Sequence, residues 1–193
     1  MAANLSNFRT IGTEIVCIGR NYADHANELG NAIPKKPMIF LKSLNSYVTE
    51  GEPIVIPSGC VELHQEVELG VVISKTAKNV SSTASMGYIG GYICALDMTA
   101  SCPVSKFIEK SKIPDPHKIE IYCLIDEKEK QRCTTDKMIF DIQTLISYVT
   151  QFATLQPGDV LLTGTPAVVC KCESGDKIRF GLKDIVEANF VVQ

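Results

Sequence analysis

The stretch LHQEVELG, residues 63–70, carries two carboxylates inside a run that otherwise has the composition of a buried strand. Side chains alternate along a strand, so Glu66 and Glu68 share one face while Val67 and Leu69 lie on the other. A bare Glu-x-Glu pair is commonly a solvated strand face. Like charges this close nevertheless repel each other unless a cation or a proton lies between them. The stretch therefore predicts a strand and leaves two interpretations of its carboxylates open, a solvated face or a cation site.

A third carboxylate favours the cation site. Asp97 ends the apolar run YICALD and is followed by Met-Thr-Ala, which allows its side chain to turn toward a cleft at the sheet edge. Three carboxylates without a nearby thiolate form a hard oxygen site, which suits Mg²⁺ or Mn²⁺ better than zinc. The sequence has no Cys-x-x-Cys motif and no Cys/His spacing typical of a zinc site.

Length and composition limit the class of protein. The 193 residues suit one domain, with or without extensions, and a net charge of −3 without charge runs gives no indication of nucleic-acid or membrane binding. No apolar run approaches the roughly 20 residues of a membrane helix. The first residues lack the features of a secretory signal, and Arg9 alone is poor support for a mitochondrial presequence. We expect the eight cysteines to be free, mostly buried thiols in a reducing compartment.

The rest of the chain is rich in strand patterns, and we expect an α+β, mainly β, fold. The strands are predicted at 14–19, 37–42, 65–74, 88–97, 118–126, within 156–166, and in a closing hairpin at 176–182 and 185–193, with a short edge strand at 53–57. The glycines of GYIGGY, residues 87–92, open no helix and predict a bulge or a close packing point.

Two helical segments are predicted. Residues 141–155 form the strongest, because Asp141 can cap it and an apolar stripe follows at helical spacing. That stripe consists of Ile142, Leu145, Ile146, Val149 and Phe152. Residues 21–29 fit a short helix or turn.

His25 and Glu28 form a second candidate site on that short helix. At positions i and i+3 they share a face, and a glutamate beside a histidine can orient it and raise its basicity, giving a pair able to activate water. An ordinary surface turn is the alternative. The loop LLTGTP, residues 161–166, offers backbone amides and two threonine hydroxyls to an anionic oxygen, and a plain tight turn is equally consistent with it.

The motifs GRNYADH (19–25), LHQEVELG (63–70), YIGGYICALDMTA (88–100), IPDPH (113–117), MIFDI (138–142) and PGDVLLTGTP (157–166) occur in this order. Together they resemble the fumarylacetoacetate hydrolase superfamily over nearly the whole chain. The closest resemblance is to its branch of acylpyruvases, oxaloacetate decarboxylases and oxaloacetate tautomerases. The resemblance implies a mixed β-roll in one catalytic domain, residues 1–193. An N-terminal part with a lid would be residues 1–60, and the β-roll core would be residues 61–193.

The resemblance also implies roles for individual residues. Glu66, Glu68 and Asp97 would hold Mg²⁺ or Mn²⁺. His25 would be the catalytic histidine and Glu28 its partner, on the lid. Arg20 and Thr165 would contact the substrate. The chain would act as a homodimer in the mitochondrion or cytoplasm, without nucleic-acid or membrane partners.

The chemistry implied by the resemblance uses the metal as a Lewis acid. A 2-oxo acid would bind it through carboxylate and keto oxygens, and the metal would take up charge as an enolate develops. Hydrolysis of acylpyruvates and decarboxylation or tautomerisation of oxaloacetate would share this electron sink. Two alternatives stay open. One is an isomerase or decarboxylase of aromatic-degradation intermediates, and the other is a catalytically impaired or non-catalytic metal-binding homologue.

The second alternative arises because the sequence departs from the family after Ala100. In the family, the DMTA motif continues into a helix and loop that supply an arginine, a glutamine and a lysine, whereas here Ala100 runs directly into Ser101-Cys102-Pro103. The family's Gly-Val-Gly-like turn after TGTP is also replaced, by AVVCKC. An exon lost from a gene model or transcript and a real deletion both explain the junction. We expect lower activity than in relatives that keep the segment.

Overall fold

The computed structural model describes residues 4–193. Its strands are β1 Ile15–Gly19, β2 Met38–Lys42, β3 Tyr47–Val48, β4 Leu63–Gln65, β5 Val67–Ile73, β6 Ile89–Leu96, β7 Cys102–Pro103, β8 Ile108–Glu109, β9 Glu120–Ile125, β10 Lys128–Thr134, β11 Val160–Leu162, β12 Cys170–Cys172, β13 Lys177–Leu182 and β14 Val186–Val191. Its α-helices are α1 Phe8–Ile11, α2 Ala23–Glu28, α3 Ser82–Ser85 and α4 Ile142–Phe152. Within the described residues, no helix has the length and apolarity needed to cross a membrane.

A six-stranded sheet in the order β2-β1-β11-β5-β6-β8 forms the centre of the fold. Among the described residues, β1 and β11 form its one parallel pair, and the other neighbouring strands are antiparallel. Strands β1 and β2 from the N-terminal part therefore share one sheet with strands from the rest of the chain. A second, antiparallel sheet has the order β10-β9-β13-β14.

The central sheet is buried on both faces. One face packs against the second sheet and α4 in a large core that includes Val67, Leu69 and Phe180. The other face packs against the N-terminal helix, where Phe8, Val72 and other apolar residues form a smaller core. Every residue of β5 is consequently buried, Glu68 included.

The structure confirms the α+β, mainly β, fold class and most predicted elements. Asp141 caps α4 by accepting a hydrogen bond from the Thr144 backbone N–H at 2.8 Å. Four residues of the predicted apolar stripe of α4 are buried, whereas Phe152, in the last turn, is 66% exposed. The predicted edge strand at 53–57 is reduced to a single bridge between Ile54 and Val192, since prolines bound it on both sides.

The glycines of β6 have the predicted structural role. The pairing register between β5 and β6 shifts between Val72 and Ile73, which pair with Gly91 and Ile89, so Gly90 is the extra residue of a β-bulge. A side chain at Gly91 would collide with the Phe107 ring and the Ile108 carbonyl oxygen, so glycine at this position allows close packing of β8.

The junction after Ala100 is a tight turn. Strand β6 ends at Leu96, the Met98 N–H donates to the Ser101 carbonyl oxygen at 3.1 Å, and β7 begins at Cys102. Thr99 and Ala100 are exposed at its tip. The chain thus turns within a few residues at this point, and the flanking strands β6 and β7 both keep their partner strands.

Candidate metal and acid–base site

Three carboxylates meet beside the end of β6. One oxygen from each of Glu66, Glu68 and Asp97 lies within 4.8 Å of the others. The prediction of a continuous strand at 65–74 is wrong at Glu66, which interrupts the strand between β4 and β5. The Asp97 N–H donates to the Glu66 carbonyl oxygen at 2.8 Å, so the break is fixed to the end of β6. Glu66 lies in the same cluster as buried Glu68.

Burial and mutual repulsion disfavour the ionised forms of these carboxylates. Desolvation, followed by the charge of Asp97, raises the pKa of Glu66 to about 7. Desolvation also raises the pKa of Glu68, to which the charges of Asp97 and Glu66 add, although the Gly164 N–H donates to its Oε2 atom at 2.6 Å and opposes the shift. A solvated strand face would not perturb both groups in this way. The geometry therefore favours the cation-site interpretation.

Lys42 lies beside this cluster and contacts Asp97. Its Nζ atom is 2.7 Å from Asp97 Oδ1 and donates to the Met98 carbonyl oxygen at 2.6 Å. Burial alone would lower the pKa of Lys42, but the charge and hydrogen bond of Asp97 outweigh burial and raise it. Lys42 thus stays charged and takes one of the two Asp97 oxygens.

The second oxygen of Asp97 fits a metal ion. Asp97 Oδ2 is buried and has no hydrogen-bond partner among the described residues. Such a buried acceptor is costly unless something outside the chain satisfies it. Since carboxylate oxygens are the ligands that Mg²⁺ and Mn²⁺ prefer, these three residues have the donor set for a hard divalent cation.

His25 and Glu28 contact each other on α2. His25 is buried on α2, and its Nδ1 atom is 3.3 Å from Glu28 Oε2. An ionised glutamate only accepts hydrogen bonds, so Nδ1 carries the proton and Nε2 is left as the basic nitrogen. The N–H of Val168 donates to both Glu28 oxygens at 3.1 Å. The predicted pair is therefore formed, and a loop from another part of the chain holds it.

The side chains of Arg20 and Thr165, the predicted substrate contacts, both bind other protein groups in this structure. The Arg20 guanidinium donates to the Met38 sulfur, with its nearer nitrogen at 2.7 Å. The buried Thr165 hydroxyl donates to the Val67 carbonyl oxygen at 3.0 Å and accepts from Gln131 Nε2 at 2.9 Å. Their roles as substrate contacts stay predictions.

Sequence reasoning missed the buried Gln131 and the half-buried Lys42. Gln131 is fully buried, accepts from the Val67 N–H at 2.9 Å, and donates to Thr165, to the Pro166 carbonyl oxygen at 2.8 Å and to that of Ala167 at 3.3 Å. It belongs to β10, a polar strand without distinctive pattern. Lys42 had a usable signal, because, like Asp97, it is a charge at the end of an apolar strand.

The raised pKa of Glu66 predicts a pH-dependent stability of the metal-free protein. Between its ordinary pKa near 4.5 and about 7, folded Glu66 binds a proton that the unfolded chain releases, so stability falls as the pH rises through this window. We expect Tm in EDTA to be higher at pH 5.5 than at pH 7.5. Saturating Mn²⁺ should flatten this dependence, because the metal replaces the proton. Thermal unfolding at both pH values measures it.

The matched variants for this experiment are Glu66→Gln and Glu62→Gln. Glutamine at 66 should remove much of the pH dependence, whereas the same change at exposed Glu62 should leave it intact. An unchanged slope in Glu66→Gln would contradict the assignment.

Comparison with known proteins gives one consistent result. The family model described as fumarylacetoacetate (FAA) hydrolase C-terminal matches residues 14–102 and 100–193. The mitochondrial oxaloacetate tautomerase of Caenorhabditis elegans is 55% identical over 213 aligned positions, which cover 99% of this chain and 100% of the relative. The mitochondrial oxaloacetate decarboxylase of Dictyostelium discoideum is 40% identical, covering 92% of both chains.

A solved structure is also similar to this chain over nearly its whole length. The crystal structure of fumarylpyruvate hydrolase from Pseudomonas aeruginosa in complex with Mn²⁺ and pyruvate aligns with a TM-score of 0.88 at 26% identity. The alignment covers 93% of this chain and 89% of that one.

These alignments also locate the missing segment. The nematode alignment has 213 positions against 193 residues in this chain, so at least 20 positions have no counterpart here. The two family matches meet at residues 100–102, at the turn that follows Ala100. The chain thus lacks an internal segment that its relative has, and the break in the family match coincides with the junction predicted from the sequence.

Proposed function

This chain belongs to the fumarylacetoacetate hydrolase family, and from that premise we propose that it is a divalent-metal-dependent enzyme of small 2-oxo acids. Its reactions would be the hydrolysis of acylpyruvates and the decarboxylation or tautomerisation of oxaloacetate. The names of the nematode and Dictyostelium relatives support the oxaloacetate reactions, and that of the Pseudomonas structure supports hydrolysis of an acylpyruvate.

The observation that carries the proposal is the cluster of three carboxylates with the unpartnered Asp97 Oδ2 atom. We assign Glu66, Glu68 and Asp97 as ligands of Mg²⁺ or Mn²⁺. When bound, the metal supplies a Lewis acid that stabilises negative charge on the oxygens of a 2-oxo acid. Lys42 holds Asp97 in place from its other oxygen, and the Gly164 N–H does the same for Glu68.

His25 and Glu28 are proposed to act on water. Because Nδ1 donates to Glu28, Nε2 takes a proton from water as the water oxygen attacks the distal carbonyl carbon of an acylpyruvate. The carbon–carbon bond next to that carbonyl then breaks. Its electron pair becomes the pyruvate enolate, which takes up a proton, and the other product is a carboxylic acid. Oxaloacetate instead loses carbon dioxide to give the same enolate and needs no attacking water.

A second candidate follows from the missing segment. The family's arginine, glutamine and lysine of that segment have no counterpart in this chain, so a metal-binding protein with weak or no turnover is the alternative. Lys42 cannot simply replace the missing lysine, because its ammonium group already contacts Asp97 and the Met98 carbonyl oxygen.

One experiment separates the two. The purified chain is given acetylpyruvate, and loss of ultraviolet absorbance is followed with Mg²⁺ or Mn²⁺ and with EDTA. We expect metal-dependent turnover that falls by roughly 10²–10⁴-fold in His25→Ala. The same change at His64, which is partly exposed and outside the pair, is the control. Metal binding by calorimetry without turnover would support the non-catalytic alternative.

The homodimer and the mitochondrial location are also proposed. Strand β2 is an edge of the central sheet and exposes Ile39, Phe40 and Leu41 by 37–62% each, a run of apolar residues that a second copy would cover. Sedimentation of this chain should give twice the monomer mass. The nematode and Dictyostelium relatives are named as mitochondrial, which supports that compartment here.

A further inference from the structure

Val168 has a backbone conformation that its side chain disfavours. Its φ angle is +71°, in the left-handed region that β-branched residues rarely enter. The side chain is 53% exposed, so burial of the valine offers little compensation for this conformation. Strained backbone persists only where the surrounding contacts determine it, and such positions cluster at functional sites.

The contacts that determine this conformation lie on both sides of Val168. Before it, Gln131 donates from Nε2 to the carbonyl oxygens of Pro166 and Ala167, which fixes the chain as it leaves the TGTP loop. At Val168 itself, the N–H points at the Glu28 carboxylate and lies 3.1 Å from each oxygen. The conformation thus aims one N–H at the partner of His25.

The same loop contacts the carboxylate cluster. The Gly164 N–H donates to Glu68, and the Val168 N–H, four residues later in the chain, donates to Glu28. One short segment, residues 164–168, therefore donates hydrogen bonds both to the carboxylate cluster and to the partner of His25. We call these residues the strap.

We propose that Val168 is a positioning residue, which holds Glu28 through its backbone N–H and thereby keeps α2 and His25 oriented on the site. The kinetic part of this inference rests on the proposed function, whereas its structural part does not. The positioning role needs the left-handed backbone conformation and the N–H that it presents, and does not need the valine side chain.

The test removes the N–H without changing the side chain. Incorporating the α-hydroxy analogue of valine at 168 replaces the N–H by an ester oxygen. We expect kcat for acetylpyruvate hydrolysis to fall about tenfold with KM unchanged, and amide hydrogen exchange in residues 23–29 to become faster. Mn²⁺ affinity should stay within twofold, because the carboxylate cluster does not contact Val168 through this bond. The same replacement at Val61, which is 81% exposed, is the control.

A second variant tests the strain. Glycine adopts a positive φ without steric cost, so Val168→Gly keeps the N–H in place. We expect kcat within twofold of the unmodified protein and a Tm higher by roughly 2–4 °C. Val168→Asn, the best tolerated of other residues in this region, should also keep kcat.

The outcomes are distinct. Unchanged exchange in residues 23–29 in the ester variant would overturn the inference, as would a tenfold loss of kcat in Val168→Gly. If the unmodified chain has no turnover, the proposed function fails, but faster exchange of α2 in the ester variant alone would still support the strap as its anchor.

Discussion

Glu68→Gln is expected to abolish specific Mn²⁺ binding and to lower acetylpyruvate turnover about a thousandfold. Lewis-acid stabilisation contributes several kcal/mol to such reactions, and about 1.4 kcal/mol corresponds to a factor of ten. Glu68 is buried, and among the described residues only Glu66 and Asp97 join it in the cluster, so its loss leaves two carboxylates. Calorimetric titration with Mn²⁺ and the ultraviolet assay measure the two effects.

The variant should not unfold the protein. Glutamine keeps an oxygen that accepts from the Gly164 N–H, and it removes a charge whose burial is unfavourable. The metal-free Tm of Glu68→Gln should therefore equal or exceed that of the unchanged chain, and Glu62→Gln should keep both binding and turnover. Full Mn²⁺ affinity in Glu68→Gln would remove Glu68 from the ligand set.

Restoring the missing segment is expected to raise kcat/KM by about a hundredfold. The resemblance implies that this segment supplies an arginine, a glutamine and a lysine, and one well-placed donor to a developing oxyanion is worth about 10²–10³ in rate. The segment of the nematode relative, inserted after Ala100, is the direct test. Its insertion should leave Mn²⁺ affinity within a few-fold, because the three carboxylates are present in both forms.

The control is a glycine–serine linker of equal length at the same position. The linker should fold and bind Mn²⁺ but give no kinetic gain, since it restores length without cationic groups. Equal kcat/KM in the unchanged chain and the restored chain would show that the remaining residues suffice for catalysis, and would refute the expectation of impaired activity.

Many strands of the two main sheets were predictable because they are long, apolar and bounded by turn residues. Strand β9 shows this well, since its alternation of apolar and polar residues matches its alternating burial. The seven-residue strand β10 was missed, because its sequence KEKQRCT is mostly polar. The short strands β3, β7, β8 and β12 were also missed, since strands of two or three residues exist only because a partner strand lies beside them, which no local pattern encodes.

The candidate site was predictable in its residue types and only partly in its geometry. The spacing of Glu66 and Glu68 indicated a shared face, but the strand is interrupted at Glu66, where the backbone instead accepts a hydrogen bond from Asp97, 31 residues away along the chain. The contact of Val168 with Glu28 spans 140 residues and uses a backbone N–H, so no side-chain pattern reports it. Long-range backbone contacts are the part that the sequence did not disclose.

The turn at residues 98–101 has a consequence for how this protein can evolve. Its two ends are joined by one hydrogen bond, so a polypeptide inserted at the exposed tip leaves and returns at nearly the same point. Such an excursion shifts no strand register, and its closure entropy grows only slowly with its length. The strands that carry the carboxylates are thus structurally independent of any segment inserted at this turn. Selection can lengthen, exchange or delete that segment, and with it substrate preference, without rebuilding the fold.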